Sequence, residues 1–321
     1  MDDIVPTGDG TAAQMPAKLP RFAAVIANPR AGQGRVGREL DAVREALRRS
    51  AFDLRLDVTD GPGHAGTLAR EALARGERFL VAVGGDGTVN EVVNAMLEDD
   101  RPVAPDALLG VIAANSGNDV VRSFGLSQDP AEAVERFAVA RDYAIDAGKA
   151  TVTTKAGERT RYFLNMAQVG VGGAAAARAA RVPRALGRGR RFLGYWAAVA
   201  GSRRPVVRLQ GDRREFEGRV TNVVVANLQF TGDGLLMVPK AWPEDGFFDV
   251  QVYTGPRSET FMLLPKMFTG EHVPHPHILE YRSRTLRISS DHPLAVEADG
   301  EPLGHTPATF EVIPGAIRLL V

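Results

Sequence analysis

The sequence contains no cysteine, so disulfide bonds, thiolate metal sites and a cysteine nucleophile are all excluded. No stretch approaches about eighteen consecutive apolar residues, and we therefore expect no transmembrane helix. Residues 1–20 lack the basic start and the apolar run of a signal peptide, and their composition predicts a flexible tail. The missing cysteines and the missing targeting signal together favour a reducing, cytoplasmic location.

An excess of charge of either sign is also missing. The 321 residues include 39 lysines and arginines and 39 aspartates and glutamates, which gives a formal net charge of +0. A chain without a net positive field is poorly suited to nucleic acid, and we predict no nucleic-acid partner. With 44% apolar and 24% charged residues, the composition is that of a soluble globular protein long enough for two domains.

Two sequence patterns divide the chain. Up to about residue 126, apolar runs typical of buried strands alternate with helical periodicity, which predicts a parallel sheet covered by helices. After Tyr143, alternating segments separated by glycine-containing turns are typical of antiparallel hairpins. We therefore predict an α/β domain at 21–145 and a mostly antiparallel β-sandwich domain at 146–321, with the site in the cleft between them.

Four predicted strands of the first domain each end in a loop rich in glycine or in small polar side chains. The strands are predicted at 22–28, 52–58, 78–83 and 108–114, and the loops at 28–35, 59–66, 84–91 and 115–119. The carboxyl ends of parallel strands meet at one edge of a sheet, where ligands bind. Such loops let backbone N–H groups approach an oxyanion closely, so this edge is predicted to bind phosphate.

The third loop, GGDGTVNE, leads into a predicted helix. Thr88 and Glu91 have the spacing of a capping box, which would start the helix just beyond Gly87. The free N–H groups and the positive dipole end of that helix suit a phosphate, but the carboxylate of Asp86 would repel it. A magnesium ion between Asp86 and the phosphates of a nucleotide would remove this conflict. The alternative is that Asp86 only caps a turn.

Two other nucleotide-binding signatures can be weighed against this interpretation. Residues 32–37 read G-x-G-x-x-G, the dinucleotide-binding pattern, but Asn-Pro stands between the strand and the first glycine. That pattern would also leave the other three loops unexplained. The signature G-x-x-x-x-G-K-[ST] is absent, which excludes an ordinary P-loop ATPase.

Five segments resemble, in the same order, the motifs of the diacylglycerol-kinase catalytic-domain family in its bacterial lipid-kinase branch, to which sphingosine and ceramide kinases are related. They are NPRAGQGR, GGDGTVNEVVNAML, NSGND, PKAWPEDGFFDV and EADGE. The resemblance extends over nearly the whole chain, from about residue 21 to 321. It implies an NAD kinase-like α/β fold followed by a β-sandwich domain, with ATP in the cleft. It also implies transfer of the γ-phosphoryl group of ATP to a lipid hydroxyl.

The resemblance implies an ATP site built from all four loops. Its residues are Asn28, Pro29, Gly32, Gly34, Thr59, Gly84, Gly85, Asp86, Gly87, Thr88, Asn90, Ser116 and Asn118. This sequence departs from the family pattern at Asn115, which replaces a glycine and brings a side chain into the fourth loop.

The resemblance also implies a Mg²⁺ site in the second domain. The carboxylate of Asp245 and the backbone carbonyls of Trp242 and Phe247 would hold the ion, and oxygen ligands are those that Mg²⁺ prefers. The alternative is a turn before the strand FFDV, in which Asp245 needs no metal.

Asp299 and Glu301 lie in the motif in which the family places its proton acceptor. A lipid alcohol is a poor nucleophile until a carboxylate takes its proton. The spacing does not choose between the two residues, although the resemblance favours Glu301. Asp86, organising the metal and the phosphates, would be the third catalytic residue. A simple Asp-Gly hairpin turn at 299–300 is the alternative.

Residues 181–204 carry seven arginines around an apolar centre that includes Tyr195 and Trp196. Basic flanks with aromatic anchors suit contact with an anionic membrane surface, and a core helix with a solvated basic face is the alternative. For the histidine-rich segment 272–277, a metal site is the alternative to an exposed loop. Its prolines preclude a regular helix and no acidic partner is evident nearby, so we predict the exposed loop.

These observations predict a cytoplasmic, ATP- and Mg²⁺-dependent lipid kinase, peripheral at the inner membrane surface, that phosphorylates diacylglycerol or a similar lipid alcohol. Two alternatives stay open: a soluble small-molecule kinase of the NAD kinase type, and a nucleotide-binding regulator without catalysis. A homodimer is compatible with the sequence, which does not determine the oligomeric state.

Overall fold

The computed structural model describes residues 20, 22–49, 53–113, 118–137, 139–181, 195–199, 201, 204–232 and 234–321. The helices with complete bounds in this part of the chain are α1 (Ala31–Arg49), α2 (His64–Ala74), α3 (Asp86–Met96), α4 (Asp119–Ser123), α5 (Pro130–Phe137), α6 (Val171–Arg181) and α7 (Glu259–Met267), and residues 195–199 are also helical. None of them is long and apolar enough to cross a membrane.

The strands fall into two large sheets and two short hairpins. They are β1 (Phe22–Ala27), β2 (Asp53–Val58), β3 (Phe79–Gly84), β4 (Leu97–Glu98), β5 (Arg101–Pro102), β6 (Leu108–Ala113), β7 (Asp142–Thr154), β8 (Gly157–Phe163), β9 (Met166–Gly170), β10 (Val206–Gly211), β11 (Glu215–Arg219), β12 (Asn222–Ala226), β13 (Phe230–Thr231), β14 (Leu235–Leu236), β15 (Phe248–Tyr253), β16 (Ile278–Ser283), β17 (Thr285–Ser290), β18 (Ala295–Ala298), β19 (Glu301–His305) and β20 (Ala308–Leu320).

The N-terminal half contains the parallel part of the larger sheet, in the order β2, β1, β3, β6. Alternate residues of β1 face opposite sides of the sheet. Ala24 and Ile26 pack with α2 and α3, whereas Ala23 and Val25 pack with α1 and α5. Because both faces are covered, these strands are apolar throughout rather than alternating. The predicted α/β arrangement is confirmed, and the loops after β1, β2 and β3 lie at the carboxyl edge. Most of the fourth predicted loop lies outside the described residues.

The C-terminal half is an antiparallel sandwich. One layer contains β7, β8, β10, β11, β17 and β20, and the other has the order β16, β15, β12, β9, β18, β19. The buried rings of Phe163 and Phe248, one from each layer, stack with their centroids 5.6 Å apart. This apolar contact lies within a core cluster that draws buried residues from both sheets. The predicted β-sandwich is therefore confirmed.

The long strand β20 joins the two halves. It runs antiparallel to β7 over most of its length, and its last residues pair in parallel with β6. One continuous sheet therefore extends from the α/β half into the sandwich. The predicted boundary at 145/146 falls within β7, and the domain limits stay a prediction.

The arginine-rich segment predicted to touch a membrane is only partly described. Residues 182–194, 200 and 202–203, with most of its arginines, lie outside the described residues. Tyr195 and Trp196 are half-buried and pack around Val171 and its apolar neighbours on α6. For Trp196, this contact favours the alternative of a core helix.

Candidate active site

The amino end of α3 is open at the carboxyl edge of the parallel sheet. The helix begins at Asp86, directly after Gly85. A Cβ atom added to Gly85 or Gly87 would meet no other atom within 4 Å. Because the first N–H groups of a helix have no intrahelical acceptor, this end has donors and space for an oxyanion.

The predicted capping box on α3 is wrong. The N–H of Thr88 donates to the carbonyl of Gly85 at 2.9 Å, and α3 starts before Gly87 rather than beyond it. The carboxylate of Glu91 instead accepts the N–H groups of Gly63 at 2.7 Å and Ala65 at 3.1 Å, at the start of α2. Glu91 has the correct spacing for a capping box, but the loop after β2 brings other donors within its reach.

Asp86 makes the same kind of contact on the other side of α3. Its Oδ1 accepts the N–H of Asp119 at 2.8 Å and that of Val120 at 3.4 Å, at the start of α4. Burial raises the pKa of Asp86 well above its ordinary value, and the charges of Asp119 and Asp299 act in the same direction. The amino ends of α2 and α4 thus already hold a protein carboxylate, whereas the amino end of α3 faces open space.

Two side chains from the predicted ATP set hold the first and third loops together. Nδ2 of Asn28 donates to Oγ1 of Thr88 at 3.2 Å, and Oδ1 of Asn28 accepts the N–H of Arg30 at 3.1 Å. A Cβ at Gly84 would lie 2.5 Å from Oγ1 of Thr88, so glycine is required there. These contacts fix the position of the loop that precedes α3.

The first loop contains three consecutive residues in the left-handed region. Gly32, Gln33 and Gly34 have φ values of 59°, 59° and 83°. Glycine adopts this conformation at no steric cost, which explains the glycines at positions 32 and 34. The G-x-G pattern of this loop is therefore satisfied by backbone geometry. Pro29, just before it, accepts the N–H of Gly37 on its carbonyl at 3.2 Å.

The remaining members of the predicted ATP set have mainly structural contacts. Thr59 is buried, and its N–H donates to the carbonyl of Ala27 at 2.9 Å. Oδ1 of Asn118 accepts the N–H of Val121 at 3.0 Å and so caps α4. Ser116 lies outside the described residues.

Asn90 faces the sandwich half rather than the open end of α3. Its Nδ2 donates to the carbonyl of Tyr162 and to Oδ2 of Asp299, both at 2.9 Å. Its Oδ1 accepts Nε of Arg161 at 2.9 Å and Nη2 at 2.5 Å. Asn90 therefore ties α3 to β8. No local pattern indicates a role for Arg161, because its partner lies 71 residues away in the chain.

Asp299 and Gly300 form the two-residue turn between β18 and β19. Their φ values of 48° and 80° are both positive, as a type I′ hairpin turn requires, so the predicted Asp-Gly turn exists. The carboxylate of Asp299 accepts four hydrogen bonds of 2.8 to 3.1 Å, from Asn90 and from the backbone of Leu164, Asn165 and Met166. The pKa of Asp299 lies above its ordinary value because burial raises it by more than these four bonds lower it.

The two glutamates that flank this turn have opposite environments. Glu301, the first residue of β19, is exposed. Glu297, on β18, is only 2% exposed, and its Oε2 accepts the N–H of Gly300 at 2.5 Å. Burial raises the pKa of Glu297 to about 8. Glu297 is the first residue of the motif EADGE, and an acid inside the apolar run Ala-Val-Glu-Ala is an unusual signal that could have identified it.

The residues predicted to hold Mg²⁺ in the second domain have other partners. Oδ1 of Asp245 accepts the N–H of Phe247 at 3.0 Å, and Oδ2 pairs with the guanidinium of Arg282. The same guanidinium lies over the ring of Phe247. Trp242 is 59% exposed. The carboxylate therefore has an arginine partner here, as the turn alternative allows, and the Mg²⁺ site stays a prediction.

The histidine segment is not simply an exposed loop. His272 is fully buried, with Nε2 at 2.9 Å from the carbonyl of Met237. His277 is exposed, but its Nδ1 lies 2.6 Å from Oε1 of Glu259 on α7. The expectation that no acidic residue is near these histidines is therefore wrong.

Comparison with known proteins agrees with this architecture. Residues 22–150 match the model of the diacylglycerol kinase catalytic domain, and residues 165–321 match that of the YegS C-terminal NAD kinase beta sandwich-like domain. A Pseudomonas putida protein named "Probable lipid kinase YegS-like" is 30% identical over 274 residues, which cover 85% of this chain and 87% of that protein. The chain belongs to the diacylglycerol kinase family. The predicted resemblance is confirmed, and the protein is a lipid kinase.

Other relatives of this lipid kinase extend the comparison. A diacylglycerol kinase from Staphylococcus carnosus is 26% identical over 290 residues, or 90% of this chain and 91% of that protein. The crystal structure of a Bacillus anthracis diacylglycerol kinase has the same fold, with a TM-score of 0.69, 21% identity and coverage of 93% and 96%. Yeast NADH kinase, complexed with NADH, has a TM-score of 0.54 at 11% identity, with coverage of 94% and 83%. The NAD kinase-like fold class is thereby confirmed.

In this lipid kinase, hydrogen bonds link several predicted site residues. Asn28 contacts Thr88, and Asn90 contacts Asp299. Asp86 joins α3 to α4, and the charge of Asp299 contributes to its raised pKa. The amino end of α3 and the turn at 299–300 therefore lie on one connected framework.

Proposed function

We propose that this lipid kinase transfers the γ-phosphoryl group of ATP, with Mg²⁺, to the hydroxyl of diacylglycerol or a similar lipid alcohol. The open amino end of α3 is the observation that carries the proposal. Protein carboxylates accept N–H groups at the amino ends of α2 and α4, whereas Gly85 and Gly87 leave open space for a phosphate at the amino end of α3.

In this proposal the phosphates bind against the backbone of Gly85 and Gly87. The absence of side chains there lets the N–H groups approach phosphate oxygens closely. Asn28 and Thr88 support this loop from behind. Mg²⁺ would arrive with ATP and neutralise the charge that develops on the phosphates, with Asp86 as the nearby acid that orients it.

The contacts of the two acids in the 299–301 segment favour Glu301 as the proton acceptor. The carboxylate of Asp299 is already held by four N–H donors, whereas Glu301 is exposed at the start of β19. Glu301 would take the proton of the lipid hydroxyl while the oxygen of that hydroxyl bonds to the γ-phosphorus. The bond from that phosphorus to the β–γ bridging oxygen breaks, and ADP leaves. Asp299 would hold the turn in place.

The lipid must reach this site from a membrane. We propose that the arginine-rich segment 181–204 contacts an anionic membrane surface. The protein would then attach peripherally to the inner face of the cytoplasmic membrane. Kinase activity on lipid in anionic vesicles should exceed activity in neutral vesicles. Replacement of Arg188, Arg190 and Arg191 by alanine should abolish this difference.

The direct test is transfer of labelled phosphate from ATP to a panel of lipid alcohols, with NAD as a soluble acceptor. Asp86→Asn and Glu301→Gln should each lower kcat by at least about 100-fold. Glu158→Gln, which removes an exposed acid from β8, is the control for the lost charge. Because an asparagine can also cap α4, the fold of Asp86→Asn should persist, and its unfolding curve checks this. Wild-type activity in either variant would refute the assigned roles, and phosphorylation of NAD alone would refute the lipid substrate.

A second test addresses the phosphate position. Gly87→Ala adds a methyl group into open space, so the free energy of unfolding should hardly change. If phosphate binds there, the KM for ATP should rise by about tenfold, corresponding to about 1.4 kcal/mol of binding. An unchanged KM would place the nucleotide elsewhere.

A further inference from the structure

We propose that Glu259, His275 and His277 form a binding site for a transition-metal ion of the Zn²⁺ class. The site is independent of the kinase reaction proposed above. Each of the three residues offers one ligand atom, and these atoms all lie within 4.8 Å of one another.

The donor set determines the class of metal. Two imidazole nitrogens and one carboxylate oxygen suit Zn²⁺, and also Ni²⁺ or Cu²⁺, whereas Mg²⁺ and Ca²⁺ prefer oxygen ligands alone. With three protein ligands, a tetrahedral ion keeps one position for water. The three side chains are half-buried or exposed, so an ion can reach them from solvent.

The spacing requires only small side-chain movements. Ligands on one tetrahedral Zn²⁺ lie about 3.3 Å apart, as bond lengths of about 2.0 to 2.1 Å imply. Nδ1 of His277 and Oε1 of Glu259 are 2.6 Å apart and would separate slightly, while the most distant pair would approach. The rings of His275 and His277 have their centroids 5.8 Å apart at an angle of 67°.

The surrounding backbone holds this cluster in position. A Cβ at Gly255 would overlap the carboxylate of Glu259, so glycine there leaves the space that this carboxylate occupies. The carbonyl of His277 accepts hydrogen bonds from the N–H and Oγ1 of Thr254, at 2.8 and 3.1 Å. The carbonyl of His275 accepts the N–H of Ile278 at 3.0 Å. Glu259 comes from α7, and both histidines come from the loop before β16.

A bound ion would tie the first turn of α7 to this loop. Glu259 and His277 also line a largely apolar cavity of about 40 Å³, together with Leu263 and Tyr195. The ion would therefore stand at the edge of that cavity and restrain the helix that forms one of its walls. We expect the bound ion to stabilise the protein against unfolding, because the unfolded chain does not hold the three ligands together.

Isothermal titration of EDTA-treated, dialysed protein with ZnCl₂ tests the site. Wild type should bind one equivalent, and His275→Ala, His277→Ala and Glu259→Gln should each weaken binding by at least about tenfold. His292→Ala is the matched control, because His292 is an exposed histidine beside a carboxylate, that of Asp291. Binding by that variant should equal wild type. Co²⁺ should give the visible absorption bands of a tetrahedral site in wild type and in His292→Ala only.

Several results would overturn the assignment. They are the absence of saturable Zn²⁺ binding by wild type, binding unchanged in the three cluster variants, and equal loss in His292→Ala. Circular dichroism and unfolding curves show whether each variant is folded, so a folding defect would not be mistaken for a lost ligand. Since the readout is metal binding and not phosphoryl transfer, failure here leaves the proposed kinase function standing, and the reverse also holds.

Discussion

Replacement of Glu297 by glutamine should reduce the pH dependence of the stability of this protein. The side chain is 2% exposed on β18, and its carboxyl accepts the N–H of Gly300 at 2.5 Å. Burial is the main cause that raises its pKa from 4.5 to about 8, and the charges of Asp299 and Glu301 add to the effect. Glutamine keeps the size of the side chain and an acceptor oxygen but carries no titrating proton.

The direction of this pH dependence follows from the number of protons bound by the folded and the unfolded protein. Unfolded Glu297 loses its proton near its ordinary pKa of 4.5, whereas the folded protein holds it up to about pH 8. Between these values the folded state binds one more proton, so the free energy of unfolding falls as the pH rises. The contribution is fully present below the unfolded pKa and is lost once the pH passes the folded pKa.

The two pKa values of Glu297 also set the size of its contribution to the free energy of unfolding. Each pH unit in this interval is worth about 1.4 kcal/mol, which sets an upper limit of about 5 kcal/mol. The groups around a buried carboxylate rearrange and water enters, which reduces the cost of ionisation. We therefore expect the free energy of unfolding to change by about 2 to 3 kcal/mol. This is a large fraction of the total stability of a typical domain.

Urea unfolding of wild type and Glu297→Gln between about pH 5 and pH 8.5 measures the difference. The variant should gain stability relative to wild type by about 2 to 3 kcal/mol across this range. Glu158→Gln, at an exposed position of β8, is the control for the loss of one acidic residue. Parallel curves for wild type and Glu297→Gln would refute the reasoning, because they would show that Glu297 is already ionised in the folded protein.

Three further changes test individual contacts. Asp299→Asn should lower the free energy of unfolding by about 3 kcal/mol, because an amide cannot accept all four N–H bonds; a loss below about 1 kcal/mol in urea unfolding would contradict this. Glu91→Ala removes the cap from the amino end of α2 and should lower the free energy of unfolding by about 1 kcal/mol. Glu98→Ala, at an exposed position of β4, is the matched control, and equal unfolding midpoints for the two variants would argue against the cap. Gly148→Ala places a methyl group against the ring of Phe163 in the sandwich core and should cost about 2 kcal/mol, seen as a lower Tm by calorimetry; an unchanged Tm would mean that the ring moves aside freely.

Much of the fold was predictable because its signals are local. The strands β1, β3 and β6 are apolar along their whole length, since helices cover both faces of the sheet, and the sequence shows this directly. The Asp-Gly pair at 299–300 forms the turn that its composition favours. The glycines at 32 and 34 likewise correspond to left-handed backbone.

The site was less predictable because its side chains form hydrogen bonds and ion pairs with residues that are distant in the chain. Glu91 has the spacing to cap its own helix, yet it caps α2, whose donors lie 26 and 28 residues away. The resemblance assigns Asp245 to a metal site, and in the structure its carboxylate pairs with Arg282. Neither partner can be inferred from spacing, since each depends on how separate elements pack.

Periodicity, turn chemistry and motif order are properties of neighbouring residues, so the class of fold, the order of the glycine loops and the family can be inferred from the amino-acid sequence. Packing in three dimensions selected which acids are bound and which are exposed. It buried Glu297, surrounded Asp299 with donors and brought Glu259 to His277. The environment of a charged group is set by atoms from segments far apart in the chain, and only packing brings those segments together.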